Sequence, residues 1–421
     1  MLQKLLGRFA DVRPQEIRAT LWSFLYFFCL LASYLILRPL RDEMGIAAGR
    51  DVLQYLFTAT FFVMLAASPL YAGLVGRWSR RQFIPLIYRF FILNLAVFWV
   101  LLTFNIDVTW TARVFFVWVS VFNLFAVSVF WSFMADLFST EQGKRLFGFI
   151  AAGGTAGTLL GSSITVGLSG LIGPANLLIV AGVLLEAAVF CATRLELQSA
   201  PSAEPTRAAL GGGMTEGFRL LLRSPYLSGI ALWVALLSLA GTFLYFIQQD
   251  VVRAVSADPA VRTRIFASMD LIANLMTLAL QFAATGQLIK RLGAGPAAAV
   301  LPVVFALGFG ALLLAPGLYV VVAFQALQRT LNFAFSNPAR EILFTSIARE
   351  EKYKAKNLID TVVFRGGDVV WSWVFAGLVG LVGSALTVAG LAIPVMGVWA
   401  GLAIWLGRTQ EKTLNNRESG A

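Results

Sequence analysis

The apolar residues of this chain fall in runs long enough to cross a lipid bilayer, and that clustering limits what it can fold into. Leu21–Leu37, Tyr55–Val75, Phe83–Phe104 and Val114–Phe133 each approach or exceed the roughly 20 residues that cross the hydrocarbon core. None shows the strict alternation of barrel strands, so helices are the structures that satisfy the backbone inside lipid. With 58% hydrophobic and 13% charged residues, the chain has too little polar surface for a water-soluble protein of 421 residues. The expectation is an all-α polytopic membrane protein. The first run has no small-residue cleavage site after it and reads as a retained span.

Twelve spans are expected, at 19–37, 53–75, 83–104, 114–135, 147–171, 175–193, 227–248, 266–288, 297–315, 317–337, 358–382 and 385–406. The net charge of +11 would suggest nucleic acid if it were concentrated in one patch. With the N-terminus in the cytoplasm, 23 of the 33 Lys and Arg fall on cytoplasmic segments, seven outside and three (Arg89, Arg329, Arg365) within spans. That bias is the positive-inside rule, so the basic excess orients the protein, places both termini in the cytoplasm and excludes a nucleic-acid role. The chain has no histidine, which removes His-based catalysis, proton relays and His metal ligands. Cys29 and Cys191 lie far apart in apolar stretches, so no disulfide, metal site or cofactor is expected. No extramembrane segment is long enough to hold a catalytic domain, and an enzyme is not expected.

Spans one to six end near Arg194, and the stretch 198–213, rich in Ala, Pro, Ser and Gly, reads as a flexible linker. Met214–Pro225, with Phe218, Leu221 and Leu222 beside Arg219 and Arg223, suits a short amphipathic helix on the membrane surface. The division is therefore a six-helix bundle at 1–197, a linker at 198–225 and a second six-helix bundle at 226–421. Gly73-Leu-Val-Gly-Arg77-Trp-Ser-Arg80-Arg81 after span two and Gly286-Gln-Leu-Ile-Lys290-Arg291-Leu-Gly293 after span eight occupy equivalent places in the two halves. The first resembles the loop between helices two and three of the major facilitator superfamily, without its acidic residue. Duplicated halves of this kind are a transporter plan.

In that plan spans one, four, seven and ten are equivalent and line a central cavity. Span ten carries Gln325, Gln328, Arg329, Asn332 and Ser336 on one helical face. Span seven carries Ser238, Thr242, Tyr245 and Gln249, span one Tyr26, Cys29 and Ser33, and span four Ser120, Asn123 and Trp131. Such stripes either face a wet cavity or make hydrogen bonds between helices. Intramembrane charges cost roughly 2.5–3.5 kcal/mol each at a helix centre and mark pairing, binding or proton transfer. They are Arg89, Arg329 and Arg365 with Glu186, Asp270, Asp360 and Asp368. Arg365 and Asp368 are spaced to pair on one helix face; Asp270 begins a face that continues through Asn274, Thr277 and Gln281. Gly153, Gly157 and Gly161 form a double small-xxx-small spacing for close helix packing, with a sliding contact between the halves as its functional use.

Three strings share a further likeness. Ile36-Leu-Arg38-Pro-Leu-Arg41-Asp42-Glu-Met-Gly closes span one. Phe130-Trp131-Ser-Phe-Met-Ala-Asp136-Leu-Phe leads to Gly143-Lys144-Arg145-Leu-Phe147. Lys354-Ala-Lys-Asn-Leu-Ile359-Asp360 continues to Arg365-Gly366-Gly367. Together they resemble, in order along the chain, the ATP/ADP translocase family of plastids and intracellular bacteria. The resemblance implies a facilitator-like fold, a bacterial member in the inner membrane acting as a monomer, and nucleotide exchange. It places Arg41 where the family has a lysine at the end of helix one. It also places Asp368 where the family has an essential lysine, and no acid falls in span four where the family has a glutamate. Those departures point to a divergent relative whose anionic or zwitterionic cargo differs.

The functional expectation is a secondary transporter working by alternating access. Arg41, Asn123, Gln325, Arg329, Asn332 and Arg365 are expected to bind an anionic small molecule, nucleotide included. Asp270, Asp360, Asp368 and Glu186 are expected to couple or gate. The alternative is a proton-coupled exporter of a small metabolite or drug, with Asp270, Asp368 or Glu186 carrying the proton.

Overall fold

The computed structural model describes residues 13–49, 51–77, 80–196, 214–283, 293–347 and 349–418, and within them the chain is helical with no strand. The linker at 198–213 and parts of both basic turns, 78–79 and 284–292, lie outside those residues, as does the side chain of Gln281.

Each expected span falls on a helix. These are α1 Ile17–Ala47, α2 Leu53–Arg77, α3 Arg80–Thr103, α4 Val108–Leu137, α5 Thr140–Ile172 and α6 Pro174–Glu196. After the short helix Met214–Arg223 come α7 Pro225–Val255, α8 Pro259–Ala283 and α9 Ala294–Leu314. The tenth, α10, runs as Leu318–Leu331, a π-helical turn Asn332–Ser336 and Asn337–Leu343. Similarly α11 runs as Arg349–Leu358, a π-helical turn Ile359–Val363 and Phe364–Val382, and α12 is Ala385–Glu418. Ten stretches among the described residues are long and apolar enough to span a membrane. The other two are α2, whose described apolar part is Leu53–Ala67, and α10, which the π turn divides.

The helices form two compact units, Met1–Pro205 with Ser256–Asn274, and Thr206–Val255 with Leu275–Ala421. In the first unit α1 packs against α4, α5 and α6. The glycine stripe of α5 makes the closest of these contacts possible. A Cβ at Gly153 would stand 2.6 Å from the Phe24 carbonyl oxygen, and at Gly157 and Gly161 it would overlap the carbonyls of Phe28 and Ala32. Three glycines one turn apart thus let α5 lie directly on the α1 backbone. The stripe faces α1 inside one unit, which corrects the expectation of a sliding contact between halves. At the start of α1, the Glu16 carboxylate accepts hydrogen bonds from the Arg13 backbone, Gln142 Nε2 and both terminal nitrogens of Arg145. Gln142 also completes a capping box with Ser139 that starts α5.

The polar stripe of α1 makes helix-to-helix hydrogen bonds in place of lining a cavity. Tyr26, fully buried, donates to the Tyr88 hydroxyl of α3 at 2.7 Å, and Ser33 donates to the Ala181 carbonyl of α6 at 2.8 Å. Folding also brings Cys29 of α1 and Cys191 of α6 near one another, both as free thiols. In the second unit α9 and α12 approach at a glycine pair, where a Cβ on Gly407 would overlap the Gly295 backbone. Trp233 of α7 packs on Trp399 of α12.

Two stability outcomes follow. Gly157→Ala is expected to lower the thermal midpoint in detergent, the destabilisation being on the order of 1–3 kcal/mol typical of overpacking. Gly167→Ala on the same helix, where nothing lies within 4 Å, should not. The Arg145 hydrogen bond, helped by those of Gln142 and the Arg13 backbone and opposed by burial, holds the Glu16 carboxyl down at about 2 against an ordinary 4.5. The fold therefore favours the ionised form, and its stabilisation is complete above 4.5 and lost as pH falls toward about 2. Glu16→Gln should lower the midpoint equally at about pH 6 and about pH 8, the gap from wild type narrowing only in acid.

Candidate functional site

In the first unit the polar chemistry collects where α1 ends. Pro39 lies within this helix, four residues after Leu35, whose carbonyl thereby loses its usual N–H partner. Around it stand Arg38, Arg41, Asp42 and Glu43. Arg41 is turned onto Asp42, donating from Nε at 3.1 Å and from a terminal nitrogen at 2.7 Å, with its guanidinium 5.2 Å from the Phe116 ring centre. Arg38 stands 3.5 Å from the buried carboxylate of Asp270 on α8. Glu43, fully buried, takes a two-pronged bond from Arg262, also of α8, at 2.8 and 2.7 Å. Arg262 donates as well to the Ser256 carbonyl. Fork-on-carboxylate pairing of this kind is strong and directional. The first half of α8 is thus docked on α1 by two ion pairs.

Sequence reasoning named Arg41 and Asp270 but left out Glu43 and Arg262, because Ser256–Asn274 is remote in the chain from α1. The signal was a surplus of charge at both places: an acid that burial would strand, and an arginine whose counter-ion had to be found. Glu186 pairs with Arg89 of α3 at 2.9 Å, with both side chains largely exposed on the surface of the unit. Asn123 lies half-buried on α4, one residue beyond Phe122, which stacks on Trp118.

In the second unit the polar faces of α7 and α10 meet. Gln325 donates from Nε2 to Gln248 Oε1, and Gln328 donates to Gln325 Oε1 at 2.8 Å. Gln248, which sequence reasoning passed over in favour of its neighbour Gln249, is the α7 partner. Gln249 is fully buried, and neither its amide nitrogen nor its amide oxygen has a hydrogen-bond partner among the described residues. The same is true of Asn332 Oδ1 and Ser336 Oγ in the π turn of α10. Each such group costs about 1–3 kcal/mol unless a ligand or water satisfies it. Arg329 sits half-buried on the same stripe, between Gln328 and Asn332.

The π turns have visible causes or consequences. Pro338 has no N–H to offer the Ala334 carbonyl, and just before it the Asn337 N–H reaches back to Asn332. In α11 the Phe364 N–H reaches back to Ile359 in the same way. Wide turns of this kind recur at functional positions because they re-aim side chains. Here they carry Asn332, Ser336 and Asp360. Asp360 pairs with Arg340 at 3.1 Å, and Lys356 with Glu341 at 2.6 Å, so the two broken helices are tied near their π turns. Asp368 accepts from Ser238 of α7 at 2.6 Å and stands 3.9 Å from Arg365, the pairing that their spacing suggests. Gly367 permits this approach, since a Cβ there would lie 2.9 Å from Ser238 Oγ.

Three solved structures share this arrangement of helices. Nucleoside transporter NupG, in a variant form, matches with a TM-score of 0.60 at 15% identity over 95% of this chain and 99% of its own. A bacterial homologue of the human lysosomal transporter Spinster, inward-facing and unoccupied, matches at 0.57 and 14% over 95% and 94%. The POT family transporter PepTSo matches at 0.62 and 14% over 98% and 100%. No family model and no curated protein matches the sequence. Identities this low establish architecture and leave cargo to the site. The chain is a multi-pass, all-helical membrane protein with the major-facilitator fold.

Proposed function

We propose that this protein is a secondary active transporter, both termini cytoplasmic, that carries a nucleotide or related anionic metabolite by alternating access. The observation that carries the reading is a buried, unsatisfied polar group on each of two helices joined by the Gln248–Gln325 bond: the Gln249 amide on α7, and Asn332 Oδ1 with Ser336 Oγ in the π turn of α10, the helix that carries Arg329. A polar cargo satisfies them, the carboxamides giving direction and Arg329 giving charge. Gln325, Asn123 and Arg365 belong to the proposed binding set, and Arg41 joins it by exchanging Asp42 for the cargo's anion.

Cargo drives a cycle only if it binds two states unequally. In our reading the contact that differs is the docking of α8 on α1, with Glu43–Arg262 and Arg38–Asp270 made in one state and broken in the other. Asp360, through Arg340, and Asp368, through Ser238, would register the change in the second unit. Glu186 is better explained by its partner Arg89 than by coupling. A proton-coupled cycle is the second reading, favoured by Asp368, an acid within a span that is held to α7 through Ser238.

Arg329→Ala should abolish uptake into proteoliposomes while leaving expression and elution profile unchanged. Wild-type transport by that variant would sink the assignment. In thermal-shift screens, nucleotides or phosphorylated metabolites should stabilise wild type by preferential binding to the folded state, and lose that effect in Arg329→Ala. Arg262→Ala strands a buried carboxylate and should destabilise by roughly 3–5 kcal/mol. The exchange of Glu43→Arg with Arg262→Glu should recover part of both stability and uptake. Uptake driven by an imposed pH gradient without counter-loaded nucleotide, and lost in Asp368→Asn, would select the proton-coupled reading.

A further inference from the structure

An open groove of about 760 Å³ lies on the first unit between α2 and α4, and no residue assigned above to cargo lines it. Its mouth holds Asp51, just ahead of α2, and Arg113, in the first turns of α4. Below the mouth the walls are apolar: Leu56, Ala59 and Val63 on α2 and Val114, Val117 and Val121 on α4. Trp110 and Tyr55 flank the charged end and are both largely exposed. Aromatic residues with one polar edge gather at the membrane interface, which places that end at headgroup level.

Geometry sets the depth. From Val52 to Val63, and from Trp110 to Val121, the helices advance roughly 16 Å at 1.5 Å per residue, about half of a hydrocarbon core roughly 30 Å thick. The groove therefore has the depth of one leaflet. A partner helix would need the full thickness.

Charge sets the headgroup. Arg113 spends Nε on the Ala48 carbonyl at 3.3 Å and lies 4.8 Å from the Trp110 ring centre, while its two terminal nitrogens make no hydrogen bond among the described residues. The Asp51 backbone carbonyl accepts from Gln54, and its carboxylate has no ion-pair partner among the described residues. One cation and one anion, both with capacity to spare, stand at the mouth of an acyl-sized channel. Helix-end electrostatics accounts for Asp51 ahead of α2, and capping of α1 accounts for one nitrogen of Arg113, but neither explains an apolar channel beneath both.

We propose that this groove binds one phospholipid whose headgroup bears a primary amine. The lipid phosphate accepts from the terminal nitrogens of Arg113, the ammonium donates to Asp51, and one acyl chain fills the groove past Ala59.

The test is native mass spectrometry of the purified full-length protein in mixed micelles, with phosphatidylethanolamine, phosphatidylcholine and phosphatidylglycerol supplied in turn. Wild type should retain one phosphatidylethanolamine in preference to the other two. Arg113→Gln should weaken that retention roughly tenfold, as expected for loss of a charge-assisted hydrogen bond. Asp51→Asn should abolish the preference for the amine lipid over phosphatidylglycerol while keeping lipid bound. Ala59→Trp fills the channel without touching the headgroup residues and should reduce retention of all three lipids. Equal retention of the three lipids by wild type, tighter retention of phosphatidylglycerol, or retention unchanged in Ala59→Trp would each overturn the proposal. An unchanged elution profile and thermal midpoint without lipid identify the variants that are folded, and uptake by Ala59→Trp separates this groove from the cargo site.

Discussion

Water is missing from the hydrocarbon core of a bilayer, so each backbone N–H and C=O must find its partner within its own helix. Once that is met by helices throughout, the helices have little hydrophobic reason to associate, because lipid is as apolar as leucine. What remains is close approach and polar bonding between side chains. The first unit uses both. The stripe Gly153, Gly157 and Gly161 lays α5 against the α1 backbone. Tyr26 to Tyr88, Ser33 to the Ala181 carbonyl and Glu16 to Arg145 then fix the neighbours of α1 by hydrogen bonds. The rest of that unit is arranged around a helix whose position is set by three residues with no side chain.

The same dry medium gives meaning to polar groups that are left unmatched. The buried acids Glu43 and Asp270 are matched by Arg262 and Arg38, and the half-buried Asp368 by Ser238 and Arg365. The unmatched amide of Gln249, with Asn332 Oδ1 and Ser336 Oγ, is among the polar groups left without a partner in the described residues, and these are the ones our proposal assigns to cargo. The π turn in α10 explains why two of these three lie on one short stretch. The wide turn before Pro338 breaks the regular ladder and redirects Asn332 and Ser336 together.

Much of the fold was legible in the sequence, for a physical reason. Span length and the period of polar residues are local properties, and a helix in lipid is a local structure. The twelve spans therefore fall on helices, the glycine stripe packs closely, and Arg365 and Asp368 pair where their spacing suggests. Direction was harder to read. A stripe on α1 reads the same whether it faces water or a neighbouring helix, and in the structure Tyr26 and Ser33 face neighbours. The glycine stripe gave no hint of which helix it would meet. Gln248 was hidden because adjacent glutamines occupy different faces of α7, and the pattern favoured Gln249.

The sequence alone determined that this chain is helical and crosses the membrane many times, because both depend on local hydropathy. Tertiary structure decided which charges meet. Glu43 and Arg262 are more than two hundred positions apart, separated by 219 residues of numbering, and nothing local relates them. Their pairing, the Gln248–Gln325 bond and the groove between α2 and α4 exist only because distant helices are brought side by side. At the end of α1, Arg41, which in sequence read as an anion contact, lies on Asp42, while Arg38 and Glu43 pair with α8. The buried amides on α7 and α10 are the groups that the proposed function assigns to cargo.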